Sequence, residues 1–166
     1  MIVVLMGVAG SGKTRVGRAL AESLGWPFHD ADDFHPPANV AKMAAGLPLT
    51  DDDRWPWLDR IVDALRQIGA DGGNAVLACS ALRQIYRDRI ARAGNVRFVY
   101  LKGDLATIAA RLAVRSHKYM PASLLPSQFA TLEEPADALV VDICADLQAK
   151  VATIRQGLGL SPANAA

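Results

Sequence analysis

Only two of the 166 residues are cysteine, Cys79 and Cys144, too few for a disulfide framework or a cysteine-rich zinc site. Each closes an apolar run, which predicts reduced, buried thiols at strand ends. Charge of one sign is equally scarce. With 18 Lys and Arg against 17 Asp and Glu the formal net charge is +1, which leaves no field for holding nucleic acid or a membrane surface. His29, His35 and His117 share no metal-ligand spacing. Internal repeats and low-complexity tracts are missing. The apolar start lacks a basic flank and is broken by loop glycines from residue 7 on, which predicts no signal sequence and a cytoplasmic location. At 51% hydrophobic and 21% charged residues, the chain reads as one domain over 1–160 with a small-molecule partner. The remainder, 161–166, reads as a flexible tail.

What is present is concentrated at the beginning. Gly7-Val8-Ala9-Gly10-Ser11-Gly12-Lys13-Thr14 follows the apolar run Ile2-Val3-Val4-Leu5-Met6 and precedes a helical pattern. This is the G-x-x-x-x-G-K-[ST] phosphate-binding loop in the strand-to-helix setting that gives the pattern meaning. Glycines let backbone N–H groups curl around an anion, and the helix N-terminus adds its positive dipole end. Lys13 reaches the terminal phosphates and the Thr14 hydroxyl ligates Mg²⁺. The chain binds a nucleoside triphosphate.

The rest alternates strands with helices. Val16, Leu20 and Leu24 recur at helical spacing up to Gly25, and an extended segment at 26–29 runs into the acidic turn Asp30-Ala31-Asp32-Asp33. Pro36 and Pro37 open a short helix with Val40, Met43 and Ala44 on its apolar side. Asp51-Asp52-Asp53 can cap a helix from about 54 to 67 with Trp57, Leu58, Ile61 and Leu65 inward. Met43 and Trp55 join the core by the same spacing. Apolar strands at 75–79, 96–101 and 139–143 are each followed by a helix, at 82–93, from the Asp104 cap to Arg115, and near 146–157, with another around Leu124, Leu125 and Phe129. Five such strands predict a parallel sheet covered on both faces, a three-layer α/β fold with ligands at its C-terminal edge.

That edge carries the remaining candidates. Asp30 and Asp32, spaced two apart, point the same way in an extended segment and face the loop. One can orient metal-bound water, and the other can accept or orient the proton of an attacking hydroxyl. Arg111 and Arg115 share a helix face before the irregular segment 116–123. Arg111 can lie on a purine and Arg115 can reach the phosphates. His35 and Ser80 are candidate substrate contacts. Arg54 is either a helix-start residue or the cation that grips an acidic substrate.

These residues carry a resemblance. The loop, Asp30-Ala31-Asp32 with His35-Pro36, Lys42-Met43, Gly46-Leu47-Pro48-Leu49, Asp51-Asp52-Asp53-Arg54 with Pro56-Trp57-Leu58, Cys79-Ser80-Ala81-Leu82, Tyr86-Arg87-Asp88, Tyr100-Leu101-Lys102-Gly103, and Ser127-Gln128-Phe129 with Thr131-Leu132-Glu133 together resemble the gluconokinase family from residue 2 to about 155. The resemblance implies ATP-dependent phosphorylation of D-gluconate at its 6-hydroxyl, with Mg²⁺, in carbohydrate-acid metabolism. It implies a P-loop kinase fold like that of shikimate and adenylate kinases, with strand order 2-3-1-4-5, a small lid at about 116–123, and a homodimer. By the same resemblance Asp32 orients the attacking hydroxyl, Asp30 sits near Mg²⁺ through water, and Arg111 and Arg115 serve adenine and phosphate. Arg115-Ser116-His117-Lys118-Tyr119 departs from the family's R-x-G-H-F by placing Lys118 where histidine is expected. A kinase for another small acid such as shikimate would share the loop but not the D-D-D-R-x-P-W-L block. A GTPase switch would need an N-K-x-D segment that the chain lacks.

Overall fold

Every residue of β1 (Ile2–Met6) is buried, as a strand flanked by others on both sides requires. The computed structural model describes residues 1–113 and 125–160. Around β1 lie β2 (Phe28–Asp30), β3 (Ala75–Ala78), β4 (Val96–Lys102) and β5 (Leu139–Asp142) in the order β2-β3-β1-β4-β5, with every neighbouring pair parallel. This is the 2-3-1-4-5 order that the resemblance implied. Alternate residues of β1 feed opposite layers. Val3 and Leu5 pack with Val16, Leu20 and Leu24 of α1 (Lys13–Leu24), Ile108 of α5 (Leu105–Ala113) and Ile154 of α7 (Leu147–Gly157). Ile2, Val4 and Met6 face Trp57, Leu58, Ile61 and Leu65 of α3 (Asp51–Ala70) and Ile90 of α4 (Gln84–Ala91). The period of two along the strand thus builds a helix layer on each side and leaves the strand ends free for a site.

Several boundaries differ from the sequence expectation, each for a local reason. The α3 helix begins at Asp51, not near Arg54, because Thr50 is the N-cap. Its hydroxyl accepts from the Asp53 N–H while the Asp53 carboxylate accepts from the Thr50 N–H. The three aspartates lie inside the first turn, where they oppose the helix dipole. Strand β2 starts at Phe28, and a 3-10 turn over Ala31–Phe34 follows it at once. In α2 (Pro37–Ala44) Val40 is exposed and Asn39 is the buried residue, so the apolar stripe read there is not the face that packs. Cys79 is buried as expected, but Cys144 is exposed, because it follows β5 into the open turn before α7. Helix α4 is shorter at both ends than the expected 82–93. The proposed lid 116–123, Arg115, His117, Lys118 and the tail 161–166 lie outside the described residues.

Gly17 sets the spacing between α1 and β2. A Cβ on it would lie 2.6 Å from Phe28 Cε2, so only glycine lets the helix approach the strand that ends in Asp30. Gly17→Ala is expected to cost about 1–3 kcal/mol of stability by overpacking. Denaturant unfolding measures it, and an unchanged midpoint would mean that Phe28 moves aside freely.

Candidate functional site

The loop after β1 has its helix start at Lys13, with left-handed Gly12 (φ 95°) as the N-cap. Gly10 is also left-handed (φ 79°), and a Cβ there would come within 2.9 Å of Leu112 on α5. Glycine is therefore required twice over, by backbone conformation and by the helix behind it. Lys13 folds back so that Nζ donates to the carbonyls of Gly7 and Val8, both at 3.0 Å. Burial pushes its ammonium below the ordinary lysine range, while the nearby Asp32 and Asp30 carboxylates pull the other way. The Ala9 N–H donates to Gln128 Oε1 of α6 (Leu125–Thr131) at 2.7 Å, which ties the loop to that helix. The Gly7 N–H donates to the Ser80 carbonyl at 3.3 Å, so Ser80 meets the loop through its backbone.

Asp30 bonds the residue that follows the loop lysine, and Asp32 lies near enough for its charge to act on Lys13, though the two do not form an extended pair. Asp30 is the last residue of β2, and Asp32 lies in the 3-10 turn, whose N-cap is Asp30: the Asp30 Oδ1 accepts from the Asp32 N–H at 3.2 Å. The expected alternation fails because an aspartate followed by polar residues favours this local turn over continued strand. The Asp30 Oδ2 accepts from the Thr14 hydroxyl at 3.0 Å. Asp32 stays open to the cleft, its side chain 79% exposed, yet the surrounding walls crowd it without covering it. That crowding, then the Asp30 charge, holds its carboxyl above the ordinary aspartate range, with Lys13 opposing.

Thr14 and Asp30 are hard oxygen donors already in contact, which suits Mg²⁺. Among the described residues no group of three or more His, Cys, Asp or Glu could hold a metal. A site with so few protein ligands fits an ion that keeps waters and takes phosphate oxygens.

The far side of Asp32 is built from α2, α3 and α4. His35 stacks on Trp57, with centroids 4.5 Å apart and an interplanar angle of 12°, and its Nε2 lies 3.9 Å from Asp32 Oδ1. Burial and then the Arg54 charge push its imidazole down to about 4, so it is neutral in ordinary solution. The Arg54 guanidinium donates weakly to the Tyr86 hydroxyl at 3.4 Å and lies 3.6 Å from Asp51. Arg54 lies in the first turn of α3 and turns into this polar cluster, an arrangement compatible with both roles left open for it. Arg83, the N-cap residue of α4, bonds Asp51 and sits over the Tyr86 ring opposite Glu133. Arg87 is buried and donates to the carbonyls of Ala81 and Leu82 at 2.9 and 3.1 Å. It thereby fixes the segment after Ser80, where Ala81 has the strained φ of 43°.

Arg111, expected to face a purine, donates to the Ile143 carbonyl at 3.0 Å from the end of α5. Asn39, Arg83 and Gln128 escaped the reading of single residues as site members. An asparagine in a short helix was the one signal available for Asn39, nothing local marked Arg83, and Gln128 entered only within the Ser127-Gln128-Phe129 block of the resemblance.

Comparison with known proteins is consistent across sequence and structure. The shikimate kinase family model matches residues 9–136. The gluconokinase of Gluconobacter oxydans (strain 621H) is 50% identical over 137 residues, covering 81% of this chain and 76% of that protein. The crystal structure of a gluconokinase from Sinorhizobium meliloti 1021 superposes with a TM-score of 0.84 at 42% identity, covering 95% of this chain and 90% of that one. A sugar kinase from Janibacter sp. HTCC2649 superposes with a TM-score of 0.89 at 39% identity, covering 97% and 95%.

Proposed function

The chain belongs to the gluconokinases, within the wider family that the shikimate kinase model describes, and from that premise we propose how its own residues carry the reaction. The activity is ATP-dependent phosphorylation of gluconate. The single observation that supports the roles below is the meeting of Asp30 and Asp32 with Lys13 and Thr14 at the end of the central strands.

The backbone N–H groups of Gly7 to Thr14 hold the β- and γ-phosphates, and Lys13 leaves the Gly7 and Val8 carbonyls to neutralise the transferring group. Thr14 and, through water, Asp30 would hold Mg²⁺, which would offset phosphate charge and lower the cost of transfer. Asp32 accepts a hydrogen bond from the 6-hydroxyl of gluconate and takes its proton as the new P–O bond forms and the bond from the γ-phosphorus to the bridging oxygen breaks, with ADP leaving. The raised Asp32 carboxyl makes that acceptance more favourable than at an ordinary aspartate. His35, Arg54 and the Ser80 segment line the sugar-acid side, with Arg54 meeting the carboxylate. Arg111 serves the nucleotide, and Arg115, outside the described residues, serves the phosphates. The reading also carries a homodimer in the cytoplasm, which light scattering and fractionation test. Among the described residues no helix is long and apolar enough to cross a membrane.

A coupled ADP-release assay across gluconate, shikimate, nucleoside monophosphates and no acceptor tests the function. ADP release should depend on gluconate and be at least about tenfold slower with shikimate, whose ring lacks the open-chain polyol, a difference of about 1.4 kcal/mol in the transition state. Equal release with and without gluconate would refute the assignment.

A further inference from the structure

The α2 helix buries one polar side chain, Asn39, and the bonds that side chain makes determine which nitrogen of His35 carries the proton. Asn39 Nδ2 lies 2.8 Å from the Asp53 backbone carbonyl and 3.3 Å from His35 Nδ1. A backbone carbonyl only accepts, so the Asn39 amide must present its NH₂ group to Asp53, not its oxygen. The second hydrogen of the same NH₂ then faces His35 Nδ1, which can only accept it. A neutral imidazole that accepts at Nδ1 donates at Nε2. The ring cannot turn away, because it is stacked on Trp57 and its side chain is 5% exposed. Among the described residues the side-chain polar atoms that are buried and unpartnered are Ser11 Oγ and His29 Nε2, so His35 Nε2 keeps an opening to the cleft.

We propose that Asn39 is a positioning residue that locks His35 as a neutral Nε2–H donor, and that this N–H and Asp32 Oδ1 form one donor–acceptor pair that reads a single substrate hydroxyl. The inference rests on the reading of Asp32 as the group that receives the attacking hydroxyl. The 3.9 Å gap between the two atoms is too long for a direct hydrogen bond, but an oxygen about 2.8 Å from each closes a triangle across it. Among substrate groups a hydroxyl satisfies both sides, since it accepts from Nε2–H and donates to the carboxylate, as the water it displaces would. An ammonium has nothing to offer Nε2–H, and a carboxylate or phosphate has no proton for Asp32. Held on both sides, the alcohol oxygen keeps a lone pair for phosphorus.

The charged groups around the ring reinforce the neutral form. Arg54 of α3 opposes a positive imidazole, the Asn39 NH₂ of α2 opposes a proton on Nδ1, and Asp32, 3.9 Å from Nε2, is the acidic group that pulls the other way.

Long-range ¹H–¹⁵N NMR on histidine-labelled protein, without substrate, reads the tautomer directly. The expected spectrum has His35 protonated at Nε2 alone and unchanged through about pH 6.5, where an ordinary histidine is half charged. An Nδ1–H tautomer or an imidazolium there would overturn the inference. His35→Phe keeps the stack on Trp57 but removes the donor, and should raise the gluconate KM about tenfold or more while the ATP KM holds. Asn39→Asp offers Nδ1 a carboxylate, so it should charge the ring and add a second ionisation to the gluconate kcat/KM profile beside the Asp32 limb of the wild type. Unchanged gluconate KM in His35→Phe, or an unchanged profile in a folded Asn39→Asp, would count against the pair. Gluconate-independent ADP release would bring down the functional reading and the pair together. Intact gluconate dependence with an Nδ1–H ring would bring down the pair alone.

Discussion

Lys13→Ala is expected to lower kcat by about 10³-fold while the fold survives, the loss associated with removing a dedicated charge from a transferring phosphoryl group. Lys13 is held in a crowded place against its own solvation, with its ammonium pushed below the ordinary range. Among the described residues it bonds only the Gly7 and Val8 carbonyls of its own loop. Truncation therefore removes an unfavourable desolvation along with two local bonds, and the melting temperature should change little. The cation has no substitute near the γ-phosphate among the described residues that bond the loop. Steady-state kinetics at saturating ATP and gluconate, paired with a thermal melt, separates the two effects. A variant that turns over near the normal rate would show that backbone N–H groups alone carry the phosphate charge.

How far the sequence reached is clearest along the acidic turn. Alternation of strands with helices, and apolar runs of the right length, made the sheet and the phosphate loop legible, because both depend on periodicity and on an uninterrupted motif. The strand order came from the resemblance, since parallel pairing over long crossovers leaves no local trace. The spacing argument put Asp30 beside Thr14 and Asp32 near Lys13, but by a geometry that the structure replaces. The inward direction came from a 3-10 turn with Asp30 as its N-cap, whereas the spacing argument assumed extended backbone. The start of α3 moved for a similar reason. Asp51 to Asp53 looked like caps, but Thr50, one residue earlier, forms the capping box and draws them into the helix. Least legible were the residues that act through a neighbour. Asn39 matters because the Asp53 carbonyl and the His35 ring converge on its amide, and Arg87 matters because it collects the carbonyls of Ala81 and Leu82. Those pairings join separate elements, and a single chain read in order does not contain them.

Asp32→Asn is expected to lower kcat by about 10²-fold or more and yet to raise the melting temperature at neutral pH. The kinetic loss follows from replacing a proton acceptor with a neutral amide that can still touch the hydroxyl but cannot take its proton. ATP binding should be unaffected, because the loop contacts and the Thr14–Asp30 pair do not involve the Asp32 side chain. The gain in stability follows from the sign of the shift. Crowding and then Asp30 raise the Asp32 carboxyl in the folded state above its unfolded value. An acid so shifted holds its proton more readily when folded, so its ionisation destabilises the fold. That penalty is absent below the unfolded pKa, grows as pH rises through the window between the two values, and is complete above the folded one. Wherever Asp32 is ionised the wild type bears that penalty, and the asparagine variant bears none of it. The same shift moves the acidic limb of kcat above the pH of an ordinary aspartate, a limb that the variant should lack. A structural turn residue would behave in the opposite way, with stability lost on substitution and turnover kept. Retention of full kcat at saturating gluconate would therefore remove Asp32 from the reaction, and a lowered melting temperature would mean that the Lys13 attraction outweighs the Asp30 repulsion.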